Sequence, residues 1–91
     1  MKKLDRYVLL DLGFDENLVS AEESGDKPYV YYTKELKNQE CLITNSFDFP
    51  ITGDELFTAE LFNMEGLGFC ETDEDVRILY KALKREKYKP L

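Results

Sequence analysis

Residues 29–44 read Tyr29-Val30-Tyr31-Tyr32-Thr33-Lys34-Glu35-Leu36-Lys37-Asn38-Gln39-Glu40-Cys41-Leu42-Ile43-Thr44. The first half is rich in aromatic and β-branched residues, which suit a pleated, half-buried surface. A polar break, Lys37-Asn38-Gln39, separates it from a second apolar run centred on Cys41, Leu42 and Ile43. Two such runs with so short a connection predict an antiparallel hairpin of residues 29–36 and 40–44. Alternation puts Val30, Tyr32 and Leu36 on one side of the first strand, with Tyr29 and Tyr31 on the other.

Downstream, residues 45–54 form a connection containing Pro50 and Gly53, with Phe47, Phe49 and Ile51 alternating within it. These three side chains either tuck beneath the domain or belong to an edge strand, where a proline is tolerated. Residues 55–62 read as a third strand. Phe57, Ala59 and Leu61 share one face, and Leu56, Thr58, Glu60 and Phe62 the other. A turn at Asn63-Met64-Glu65-Gly66 leads to a short fourth strand over residues 67–70.

The clearest helix follows. Thr72 is a good N-cap and Asp75 stands at N3, a capping box with Asp in place of Glu. Asp73, Glu74 and Asp75 lie at the positive end of the helix dipole, and Lys84, Arg85 and Lys87 at the negative end. Val76, Leu79, Tyr80 and Leu83 follow the spacing of a single apolar stripe.

Upstream, residues 15–28 read as an acidic loop with a turn at Ser24-Gly25-Asp26. Leu18, Val19 and Ala21 supply at most a short strand or a helical turn. Residues 2–12 fit a short helix with Leu4, Val8 and Leu12 recurring every four residues. Gly13 suits the left-handed position after it, and Phe14 the contact that folds back on Leu9. The run Tyr7-Val8-Leu9-Leu10 also fits a strand. The expected architecture is one α+β domain over residues 1–91. It consists of an antiparallel sheet of three to four strands with an N-terminal and a C-terminal helix packed on one face.

That arrangement leaves the second sheet face to be explained. Residues 15–28 and 47–51 cover it, or it binds a protein partner or a second copy as a homodimer. The candidate contact residues are Tyr29, Tyr31, Leu56 and Phe62, with Glu55, Glu60 and Glu65 from the acidic middle of the chain.

Charge narrows the choice of partner. The net charge is −7, and no Lys or Arg occurs between Asn38 and Val76. Phosphate backbones and anionic membrane surfaces repel such a chain, so no direct nucleic-acid or membrane contact is expected. A basic protein surface suits it, although the same acids also serve as a solvated surface that keeps a small protein in solution. The absence of His removes Ser-His-Asp and Cys-His catalysis and His-containing zinc sites. Gly66-Leu67-Gly68 lacks a third glycine and a following helix, and so is no nucleotide loop. Glu71-Thr72-Asp73-Glu74-Asp75 lacks the spacing of a calcium loop and reads as helix capping. No cofactor or metal is expected. Cys41 and Cys70 are too few for a disulfide framework and are expected as free thiols, with a single cross-strand bridge as the alternative. Asp5, Arg6 and Asp11 interrupt the N-terminal apolar residues, unlike a signal peptide or a membrane span.

The order of these segments carries a resemblance. Leu9-Leu10-Asp11-Leu12-Gly13-Phe14 closes the opening helix, and Tyr29-Val30-Tyr31-Tyr32 leads to Leu42-Ile43-Thr44-Asn45. Glu60-Leu61-Phe62 then precedes Asp75-Val76-Arg77-Ile78-Leu79-Tyr80-Lys81-Ala82-Leu83-Lys84. The chain resembles small uncharacterised proteins of phages, prophages and mobile elements in Bacteroidetes-type bacteria. The resemblance implies a bacterial, cytoplasmic setting and no site residues. The expected function is a non-enzymatic interaction protein that antagonises a host protein. An alternative class is an immunity protein or antitoxin that neutralises a basic toxin nuclease. A third is a carboxylate-dependent enzyme, which the missing His and missing motifs disfavour.

Overall fold

In a computed structural model of the chain, the elements run α1 (Arg6–Asp11), β1 (Asp15–Val19), α2 (Ala21–Ser24), β2 (Tyr29–Glu35), β3 (Cys41–Thr44), β4 (Phe47–Asp48), β5 (Ala59–Leu61) and α3 (Asp73–Lys87). The structure describes residues 1–36, 40–62 and 69–87, with side chains as far as residue 81. The turn expected at residues 63–66, the first half of the expected fourth strand (67–68) and the side chain of Leu83 lie outside the described residues.

The predicted hairpin forms. β2 and β3 pair antiparallel with Thr33 opposite Ile43 and Glu35 opposite Cys41. The sheet order is β1-β2-β3-β5, and β4 pairs with β2 beyond β3. Between Thr33↔Ile43 and Val30↔Phe47 the pairing slips by one residue. Asn45 and Ser46 therefore carry one extra residue, a bulge. The Tyr32 N–H at this point donates to the Thr44 hydroxyl at 2.9 Å, and that hydroxyl donates to the Asn45 carbonyl at 2.9 Å. A buried threonine thus replaces the carbonyl that a regular ladder would offer.

Residues 15–28 are a loop only from 25 onward, with the expected turn at Gly25; the short strand and the helical turn both form before it. Asp15–Val19 pairs along its whole length with β2, Asp15 opposite Thr33 and Val19 opposite Tyr29. The tyrosine-rich neighbour supplies the ladder and the packing that Asp-Glu-Asn-Leu-Val lacks by its own propensity. The Tyr32 hydroxyl donates to Glu16 Oε2 at 2.5 Å, and the Asn17 amide donates to Thr33 Oγ1 at 2.9 Å. One turn of helix, α2, follows with Ser20 as N-cap and Gly25 in the left-handed region.

The opening helix starts at Arg6 rather than at residue 2, because the Asp5 carboxylate accepts the Val8 N–H at 2.9 Å and caps it there. Lys3 and Leu4 run extended and bridge to Thr72 and Phe57. At the other end Phe14 N–H donates to Leu9 O and Gly13 N–H to Leu10 O, each at 3.0 Å. With Gly13 at φ +92° this is a complete Schellman ending, and both Leu9 and Phe14 are buried.

The third strand is shorter than expected, regular only over Ala59–Leu61. Phe57 instead makes a single bridge to Leu4, and Ala59 pairs on its free side with Cys70. Side by side with β5, these segments close that margin of the sheet.

Leu9 of α1 and Val76 of α3 share one buried cluster with Val30, Tyr32, Leu42, Phe57, Ala59 and Leu61. Both helices therefore lie on one face of the sheet, as the sequence predicts. Phe47 and Ile51 pack against this cluster too, so they do not cover the other face. The α3 capping box forms reciprocally: Asp75 N–H donates to Thr72 Oγ1 at 3.2 Å, and Thr72 N–H to Asp75 Oδ2 at 3.1 Å. Among the described residues, no helix is long and apolar enough to cross a membrane.

Candidate functional site

Strand register decides which side chains meet on the face turned away from α1 and α3. Residues opposite one another in a ladder point to the same side. The pairs Asp15↔Thr33, Thr33↔Ile43 and Ile43↔Glu60 make one continuous row across four strands. Asn17 joins Tyr31, Val19 and Asp48 flank Tyr29, and Glu35 lies opposite Cys41. The result is a centre of Tyr29, Tyr31, Ile43 and Val19 with carboxylates at Asp15, Glu35, Asp48 and Glu60 around it. None of these strand positions holds a Lys or Arg.

The platform measures roughly 14 Å from β1 to β5 at the usual strand spacing, and roughly 20 Å along β2. Tyr29 and Tyr31 keep their rings in tilted contact at 6.2 Å and remain half-buried. Beside Glu60, a hollow of about 170 Å³ opens between Ile43, Thr58 and the exposed ring of Phe69. Phe62 follows β5, its N–H donating to the Cys41 carbonyl at 2.8 Å, and is exposed.

Of the residues singled out from sequence, Tyr29, Tyr31 and Glu60 stand on this face, with Phe62 at its margin. Leu56 is exposed but precedes the regular strand. Glu55 is committed elsewhere. Its carboxylate accepts the N–H groups of Thr52 and Gly53 at 2.9 Å each, and these bonds hold its pKa below the ordinary value. Glu65 lies outside the described residues. The sequence did not reveal Asp15, Glu35, Asp48, Ile43 or Phe69 as members. Alternation within one strand is legible, but which strands abut, and in what register, is not.

Other acids of the middle stretch are also used internally. Asp73 is buried, accepts the Lys2 N–H at 2.9 Å and pairs with Arg77 at 3.0 Å. The Lys2 bond is the main cause of its lowered pKa. Asp75 is lowered chiefly by the N–H of Glu71. Cys41 and Cys70 form no disulfide. Burial pushes the Cys70 thiol up to about 11, which leaves it protonated and unreactive at neutral pH. Among the described residues, no three His, Cys, Asp or Glu side chains are grouped to hold a metal ion.

No family model matches this sequence, and comparison with curated proteins and with solved structures finds no match.

Proposed function

We propose that the chain is a non-enzymatic protein-interaction module whose open sheet face engages a basic protein surface. One observation carries this reading: among the described strand residues, four carboxylates and no Lys or Arg ring an apolar, tyrosine-bearing platform on the face turned away from α1 and α3. A Lys or Arg side chain from the partner gains a counter-ion at the rim and an aromatic face at Tyr29 or Tyr31. The hollow beside Glu60 and Phe69 takes the end of one such side chain. The platform is wide enough for a single helix, about 10–12 Å across with its side chains.

The resemblance to phage and mobile-element proteins supports a bacterial, cytoplasmic setting with a host protein as the target. A basic toxin nuclease is the alternative class of partner, and it would meet the same face. A homodimer built face to face is disfavoured, because two copies would bring like charges together.

The test compares the wild-type protein with a Tyr31→Ser, Asp48→Asn, Glu60→Gln triple variant, using Lys/Arg-rich amphipathic peptides at low and high salt. The wild type binds at low salt, and high salt weakens it. The triple variant keeps its fold by circular dichroism and binds about tenfold more weakly or worse. Equal binding by the two proteins would remove the basis for the reading.

A further inference from the structure

A second site lies on the helix-bearing side of the sheet and meets the first only at Glu35, at the end of β2. Where the end of α1, the end of β2 and the start of α3 meet, a groove of about 340 Å³ opens to solvent. That volume is at the small end of pockets that hold small molecules. Its floor is apolar, formed by Leu12, Val76 and Tyr80. Its walls carry Lys34, Arg77 and Lys81.

This concentration of positive charge stands out in a chain of net charge −7. The α3 residues come as two adjacent i, i+4 rows. Val76 and Tyr80 supply the floor, while Arg77 and Lys81 supply the rim. Lys34 faces them from β2. Its ammonium is already fixed by donating to the Leu12 carbonyl at 2.8 Å, and two of its three donors remain for a ligand. Arg77 is partly committed to Asp73, so Lys34 and Lys81 are the principal anion contacts. Glu35, exposed at the mouth, is the one acid among the described lining residues. It disfavours a second negative charge on the ligand.

We propose that this groove binds a small monocarboxylic acid. Its aromatic or branched apolar body rests on Leu12, Val76 and Tyr80, and its carboxylate lies between Lys34 and Lys81. The match is one of charge and shape: an apolar trough closed by two ammonium groups accepts an amphipathic anion and rejects its neutral analogue.

The experiment follows backbone amide shifts of the full chain on titration with 2-naphthoate, and separately with the uncharged 2-naphthamide. Naphthoate shifts the resonances of Leu12, Val76 and Tyr80, and naphthamide binds at least about tenfold more weakly. Lys81→Gln, a change on an exposed helix face, weakens naphthoate binding several-fold and leaves naphthamide unchanged. Lys34→Gln does the same but also loosens the end of α1, so Lys81→Gln is the deciding variant. Absence of shifts at these three residues, equal affinity for acid and amide, or an unaltered Lys81→Gln titration would each overturn the assignment.

Discussion

Gly13 sits at φ +92°, and a Cβ built there would lie 2.9 Å from the Lys34 ammonium nitrogen. Gly25 has φ +75° and nothing within 4 Å of the same position. The two glycines therefore separate backbone strain from collision. Gly25→Ala should cost about 1 kcal/mol in urea unfolding, and Gly13→Ala about 2 kcal/mol, the excess reporting displacement of Lys34 from the Leu12 carbonyl. If the two losses match, the flexible Lys34 side chain has moved aside without cost. Tyr32 gives a second residue-level expectation. Burial first, and its bond to Glu16 second, push its phenol up to about 12 from the ordinary 10.0. The folded state thus holds the proton after the unfolded state has lost it. Stability contributed by this group is whole below pH 10 and is lost as pH rises toward 12. Urea midpoints across that window should fall for the wild type, and fall less steeply for Tyr32→Phe.

At the scale of elements, local signals and long-range ones part company. The end of α1 was legible because Gly13 and Phe14 occupy fixed offsets from Leu9. The start of α3 was legible because Thr72 and Asp75 satisfy each other's backbone. The hairpin was legible from two apolar runs and a polar break. β1 was not, because its pairing comes from Tyr29 to Thr33 and not from its own residues. The outline of the candidate site suffered for the same reason. Tyr29, Tyr31 and Glu60 could be named from alternation, but Asp15 and Asp48 needed the register, which the bulge at Asn45 and Ser46 shifts by one residue. Thr72→Ala should destabilise the protein by about 1 kcal/mol, read from the thermal midpoint. Glu55, Asp73 and Asp75 all have lowered pKa values from bonds donated by backbone N–H groups. Their contribution is present above the ordinary carboxylate range and is lost as pH falls through and below it. Acid unfolding monitored by tyrosine fluorescence should therefore begin in that range, and earlier for Asp75→Asn.

For the molecule as a whole, the segment of Lys2 to Leu4 acts as a stitch. Lys2 exchanges bonds with Asp73, and Leu4 accepts the Phe57 N–H at 2.8 Å while its side chain is fully buried. Leu4→Ala should cost about 2–5 kcal/mol in urea unfolding, and it should loosen β5 and α3 together. The two margins of the sheet differ in kind. One is closed by this stitch and by Cys70, while at the other β1 has no described neighbour beyond it. An unclosed margin is a template on which a further chain can be laid. Asp15 and Glu16 set like charges against an identical chain laid there. Concentrated protein carrying Asp15→Asn with Glu16→Gln should zip into ribbons that bind thioflavin, and the wild type should not. Two side chains on one strand thus stand guard over the chain's tendency to assemble with itself.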